Sequence, residues 1–242
     1  MPTQPAVPLR SRQAGETTSG RFTATQVLAA TGAVLAITSL SVLPLLTPWF
    51  THPALDLARS ASWLGVDPTV AQDLSDRSIH ELVFGPGTFA LIGPDSELLY
   101  DAAERGHLAD ARLLLGTALL AGATALLAVG LSLWRSDGDR RATLWRAVSL
   151  GGLATSLGAV GLGMAGILAF GPLFELFHQV FFPGGNWAFD PTRQRLVQLY
   201  PMAFWQVAAG AFGMLTTVLG LGAWLLGRSM AARAIANPDS AA

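Results

Sequence analysis

The chain holds four histidines, His52, His80, His107 and His178, and no cysteine. Imidazole is the side chain whose ordinary titration range spans neutrality, so these four positions are where proton transfer is sought first. Thiolate catalysis, disulfides and cysteine-ligated metals are excluded. His107 sits in ERGHLADAR. If a helix runs through it, Glu104 and Asp110 fall three residues to either side, on neighbouring faces. A carboxylate bonded to one ring nitrogen would fix the tautomer and leave the other nitrogen free for chemistry. The same stretch also reads as an ordinary amphipathic helix end, with Arg105 and Arg112 balancing the acids. His178 sits in PLFELFHQVFF, where Phe174, His178 and Phe181 share a helical face. An aromatic interfacial helix with one amphipathic histidine accounts for that pattern. An ionisable group on the apolar face of a membrane helix is also a functional candidate. His80, with Asp76 four residues before it, and His52, beside Pro53, read as structural.

The histidines lie too far apart in sequence for the local pair that zinc favours. There is no nucleophile elbow and, with no lysine in the chain, no phosphate-binding P-loop. The arginines are too dispersed for a nucleic-acid surface. No metal, no cofactor and no nucleic-acid partner is expected.

The elements that must position these residues follow from composition. Of 242 residues, 51% are hydrophobic and 13% charged, with a mean hydropathy of +0.45; soluble domains carry roughly 25% charged residues. Four windows have no charge at all: Phe22–Leu55, Leu113–Trp134, Ala147–Phe174 and Leu196–Gly227. Crossing the hydrocarbon core takes about 20 apolar residues, so each window predicts a transmembrane helix. The apolar run of the first exceeds a signal-peptide core and no clean cleavage site follows it, so it is expected to stay.

The expected layout is a disordered tail at 1–25, helices at 26–46, 111–134, 147–170 and 203–227, and tails and loops between and beyond them. The intervening segments are 47–110, 135–146 and 171–202, and the C-terminal tail is 228–242. Within 47–110 the signals are a helix at 67–83 begun by Asp67-Pro68, a Gly-Pro-Gly turn at 85–87, and a helix from Ser96 running through His107 into the second span. Both tails and 135–146 together carry nine arginines against four acids; the other side carries six against twelve. The positive-inside rule then puts both termini in the cytoplasm and every histidine at the outer face. The fold class is an all-α membrane protein: an antiparallel bundle of four transmembrane helices. A small helical extracytoplasmic domain separates the first two helices, and a structured outer loop separates the last two. Glycines at 151, 152, 158, 161, 163 and 166 are expected to let the third helix approach its neighbours.

Two motifs together resemble the lipoprotein intramolecular transacylases (Lit), a family of small four-helix bacterial membrane proteins. FHQVFFPGGNWAFDPTRQRLVQLYPMAFW, at 177–205, carries a histidine, an aromatic run, an Asn-Trp pair, an aromatic-Asp-Pro and an apolar-Pro lead into the last helix. GTFALIGPDSELLYDAAERGHLADAR, at 87–112, resembles the family's other outer motif, an acidic helix ending in His-Leu-x-Asp. SDRSIHELVFGPG departs from the family's aromatic Asn-Tyr pattern. The resemblance implies a membrane acyltransferase of the bacterial cell membrane. Its substrate is a lipoprotein bearing a diacylglyceryl group on its N-terminal cysteine. The sn-2 acyl chain moves to that cysteine's amine, with His107 and His178 catalytic and Asp110, Asn186, Trp187 and Asp190 supporting. The expected partners are the diacylglyceryl lipoprotein, or another membrane lipid, and the surrounding lipids. The alternatives are a non-catalytic relative whose outer segment binds a cell-envelope partner, and a metal-dependent membrane hydrolase.

Overall fold

The computed structural model describes residues 23–236; most of the expected tail at 1–25 and the end of the one at 228–242 lie outside them. The described chain is helical, with one isolated bridge between Ile92 and Leu98 and no strand. Helix α1 (Ala24–Val42) starts on a capping box between Thr23 and Gln26. A 3₁₀ turn at Leu43–Leu46 around Pro44 carries it on. Three helices follow before the next long one: α2 (Pro48–Leu57), α3 (Ser60–Leu64) and α4 (Pro68–Val83). Then come α5 (Ala102–Trp134), α6 (Gly138–Phe181), α7 (Arg195–Leu199) and α8 (Met202–Ala236). Four of these are long and apolar enough to cross a membrane: α1 with its 3₁₀ turn, α5, α6 and α8.

Several boundaries differ from expectation for local physical reasons. The helix anticipated from Ser96 begins only at Ala102. Ser96 sits at φ 64°, in a tight turn closed by its own N–H to Gly93 O, and Asp101 caps the helix by accepting from Glu104 N. The stretch after Pro48 forms α2 despite Pro53, because Thr51, Ala54 and Leu55 are buried there. The connection between α5 and α6 shrinks to 135–137. α4 matches its signals, with Asp67 accepting from Thr69 N and Pro68 in the first turn.

The segment between α1 and α5 has no separate core. Ala54, Leu55, Ala71, Leu74, Phe89 and Tyr100 pack in one cluster with Leu108 of α5, Leu196 and Leu199 of α7 and Phe204 of α8. Two buried hydroxyl pairs cross it, Ser78–Tyr100 at 2.7 Å and Ser75–Tyr200 at 3.0 Å. The Gly-Pro-Gly turn closes on Glu81, whose carboxylate accepts from the N–H groups of Gly87 and Thr88. Arg112 of α5 donates to the Glu81 carbonyl.

Among the long helices, α6 lies along α8 and α1, and α1 also lies along α5. Glycine sets the closest approaches. A Cβ on Gly152 would stand 2.5 Å from Gly220 O, one on Gly227 2.6 Å from Trp145 O, and one on Gly151 2.5 Å from Ala30 O. Ser149 and Ser156 donate across the same seam to Trp224 O and Thr217 O. The expectation for the remaining glycines of this helix is corrected: Gly158, Gly161, Gly163 and Gly166 meet nothing within 4 Å. The close glycine-mediated approaches of α6 are confined to its N-terminal half.

The C-terminal half of α6 bends. Pro172 has no N–H to give to Leu168 O, and its ring crowds that carbonyl. The helix breaks immediately beside it, at Ala169 (φ −149°, ψ 49°). Helical structure then resumes to Phe181, which makes α6 eleven residues longer at this end than the span expected at 147–170.

Replacing Gly220 by Val should lower stability by about 1–3 kcal/mol through overpacking against Ser156 and Gly152. Gly161→Ala should be neutral or stabilising by up to about 1 kcal/mol. Thermal unfolding in detergent checks both; equal losses in the two variants would contradict the assigned seam.

Candidate functional site

His107 and His178 meet. They arrive from different helices, α5 and the bent end of α6, and their rings stack with centroids 5.8 Å apart at 27°. Neither lies within an uncharged window: His107 precedes Leu113–Trp134, and His178 follows Ala147–Phe174. Aromatic rings enclose the pair. Phe182 and Phe189 pack on His107 at 4.6 and 5.6 Å. Phe174 and Trp187 pack on His178 at 4.2 and 5.0 Å.

The break at Ala169 places His178 here, and a local hydrogen bond sets its ring. His178 Nδ1 lies 2.7 Å from the carbonyl oxygen of Phe174. A carbonyl can only accept, so Nδ1 carries the proton and the neutral ring presents a bare Nε2. His178 is 8% exposed. Burial holds it below its ordinary value, with the Phe174 bond working the other way. His107 is shifted further. Burial, then the adjacent His178, push it down to about 4, while Asp110 pulls it up. Both imidazoles are therefore neutral near pH 7 and able to accept a proton.

The carboxylates are not arranged as their spacing suggested. Glu104 does not turn to His107. It is 2% exposed, and its two oxygens accept from Asp101 N and Leu196 N, each at 2.7 Å. Burial raises its carboxyl above the usual range while those two N–H groups pull it back. Asp110 makes no hydrogen bond to His107 either: its carboxylate takes the side-chain N–H of Asn186 at 2.9 Å, and its charge alone reaches the ring.

The other anticipated residues separate into two groups. Trp187 packs on His178, and Asn186 joins the loop to α5, so both stand at the pair. Asp190 serves the loop itself: its carboxylate accepts from Thr192 N and Oγ1, and these bonds hold it below its ordinary value. That turn supports Phe189, the next residue back, against His107. Ties to the N-cap of α5 and to the turn before it hold the rest of the loop, with Gln194 donating to Asp101 at 3.0 Å and Arg195 paired with Asp95. Phe182 and Phe189 are site-building residues that the histidine spacing does not single out, and Glu104, expected beside His107, instead ties the start of α5 to α7. The signal for Glu104 was the D-x-x-E capping-box spacing from Asp101.

His52 bonds Asp76 at 3.0 Å, tying α2 to α4, and His80 packs on Phe84; neither joins the pair. Among the described residues no three His, Asp or Glu side chains converge as metal ligands would.

Residues 78–205, over half the chain and including both paired histidines, match the family model described as lipoprotein intramolecular transacylase Lit. Among solved structures the chain is similar to the membrane-integral lipoprotein intramolecular transacylase Lit of Bacillus cereus. The identity is 18% and the TM-score 0.74, over 86% of this chain and 95% of that one. A histidine-to-arginine and a histidine-to-alanine variant of that protein give TM-scores of 0.68 and 0.67 at the same identity. They match over 86% of this chain and 91% and 93% of theirs. At this identity the structural likeness shows a shared fold. No curated protein matches the sequence.

Because the folded-state value of His107 lies below its ordinary 6.5, the unfolded chain binds more protons between about 4 and 6.5. This histidine therefore lowers stability as pH falls through that window. Thermal midpoints at about pH 7.5 and about pH 4.5 should differ less in His107→Leu than in the wild type. An unchanged difference would contradict the buried, neutral assignment.

Proposed function

Because the chain belongs to the lipoprotein intramolecular transacylase (Lit) family, we propose that it is an acyltransferase acting on diacylglyceryl lipoproteins at the outer leaflet of the bacterial cell membrane. The protein is a multi-pass membrane protein. In this reading both termini are cytoplasmic and the four long helices form an antiparallel bundle. The segments 47–110 and 171–202 stand on the outer side, over the acyl ester. The observation that carries the reading is the pairing of His107 with His178 inside one aromatic enclosure.

The reaction moves the sn-2 acyl chain from its glycerol oxygen to the α-amine of the substrate's N-terminal cysteine. An α-amine titrates at about 7.7–8.0, so a usable fraction is neutral near pH 7 and can attack the ester carbonyl. As the C–N bond forms, the nitrogen must lose a proton. His178 suits that step, since its Nε2 lone pair is fixed by the Phe174 bond and burial keeps it unprotonated. The tetrahedral oxyanion and the leaving glycerol alkoxide then need a donor. His107, stacked beside His178, serves that side of the reaction. When the C–O bond breaks, the alkoxide takes up a proton, so the transfer consumes none overall. The substrate supplies both the nucleophile and the leaving group, and the chemistry asks for no cofactor.

The aromatic walls have a role in the same scheme. Water competes with the amine for the ester, and hydrolysis would release the acyl chain as a free acid. Trp187, Phe174, Phe182 and Phe189 cover the two rings with apolar surface and limit that side reaction. Asn186 and Asp190 hold the loop that carries three of these residues.

The protein, expressed in a host that makes diacyl lipoproteins, should shift an acyl chain onto the lipoprotein α-amine, read by mass spectrometry of the N-termini. His107→Ala and His178→Ala should each reduce the shift by about a hundred-fold or more, the scale of general acid–base catalysis. No shift from well-folded wild type would refute the transacylase reading; full activity in both variants would refute the site. Abolition by a chelator would favour the metal-dependent hydrolase.

A further inference from the structure

Two polar atoms in the site are buried without a hydrogen-bond partner among the described residues: His107 Nδ1 and Asn186 Oδ1. An orphan of this kind costs about 1–3 kcal/mol, and folded proteins keep few of them. The two are complementary, because a ring N–H can donate and an amide oxygen only accepts. They are also neighbours. Asn186 Nδ2 donates to Asp110, one turn beyond His107 on α5, and lies 3.9 Å from where a Cβ on Gly106 would stand. Phe182 and Phe189, on either side of Asn186 in the chain, both pack on the His107 ring.

Polarity and burial narrow the choice of partner. A carboxylate only accepts, so the amide nitrogen must face Asp110 and the amide oxygen must face away from it. Both orphan atoms are closed to water. Each must find its partner within the protein.

We propose that Asn186 is the positioning residue of His107: its Oδ1 accepts from His107 Nδ1–H while its Nδ2 remains on Asp110. The chain Asp110–Asn186–His107 then fixes the neutral His107 tautomer that leaves Nε2 bare.

The mechanistic consequence rests on the transacylase reading; the hydrogen bond does not. His178 already presents a bare Nε2 because its Nδ1 donates to Phe174 O. With His107 in the same tautomer, neither ring has an Nε2 proton to give at rest. The proton that reaches the glycerol alkoxide is then the one removed from the amine. An imidazole accepts it at Nε2 as the C–N bond forms, and an imidazolium of the pair returns it to the glycerol oxygen as the C–O bond breaks. His107 donates only after that proton has reached it.

The test is the tautomeric state of His107 in ¹⁵N-histidine-labelled protein in lipid nanodiscs, by long-range ¹H–¹⁵N NMR near neutral pH. Single-histidine replacements assign the signals. Wild-type His107 should be neutral with its proton on Nδ1. Asn186→Ala should move the proton to Nε2 and lower kcat on a diacylglyceryl lipopeptide by about ten-fold or more, with KM little changed. A wild-type His107 protonated on Nε2 overturns the proposal whether or not the variant folds, and so does an unchanged tautomer in Asn186→Ala. The expected tautomers without any acyl transfer by the wild type would instead fault the transacylase reading and leave the hydrogen bond standing.

Discussion

Pro172 decides where the site can be. Helix α6 has 44 residues, which unbroken would run about 66 Å, more than twice the hydrocarbon core of a bilayer. Its N-terminal half is committed to α8 and α1 by glycine contacts that admit no side chain. A straight continuation would carry Phe174, Phe177 and His178 along the axis of that seam. Pro172 removes one backbone donor and crowds one carbonyl, and the helix breaks at Ala169. The terminal turns are thereby freed to take their own direction, and they end with His178 against His107. The pairing of two residues distant in sequence follows from that break.

The loop after α6 keeps the pair enclosed, and polar ties to α5 and to the turn before it hold it there. Glu104 is the innermost tie. A fully buried carboxylate is costly unless hydrogen-bonded, and here one group satisfies the N–H of the α5 N-cap residue and the N–H of Leu196 in the first turn of α7 together. Asp101 receives Gln194, Asp95 receives Arg195 and Asp110 receives Asn186. These are all contacts between the two stretches that carried the sequence motifs. Much of the polar chemistry packed into FHQVFFPGGNWAFDPTRQRLVQLYPMAFW is thus structural. Asp190 makes a turn, Gln194 and Arg195 hold down α7, and the aromatic residues with Asn186 surround the histidines.

How much was readable from sequence depended on the range of the physics involved. The four long helices were legible because excluding charge from a bilayer acts residue by residue and leaves uncharged windows. α4 was legible because Asp67-Pro68 is a local start signal. The start of α5 was misplaced because a left-handed turn at Ser96 and a capping box at Asp101 compete over a few residues. α2 was missed because burial against other elements overrode the loop signal of its prolines. The six glycines between 151 and 166 look alike in sequence, yet only Gly151 and Gly152 face a neighbour, which depends on three-dimensional packing. The histidine pair was legible through the two motifs, whereas the partners of Glu104 and Asp110 were not. Helical spacing shows which residues share a face; it does not show which backbone N–H or amide from another element will take a carboxylate. His52 and His80 lie apart from the pair, in contact with Asp76 and Phe84.

The central claim is that His107 and His178 act on one ester. A structure with a non-reactive diacylglyceryl lipopeptide bound, in which an amide replaces the sn-2 ester, tests it most directly. The account predicts the sn-2 carbonyl and the cysteine amine between the two imidazoles, each reacting group within hydrogen-bond reach of an Nε2 atom. A lipopeptide bound with its sn-2 group away from one or both histidines would contradict it.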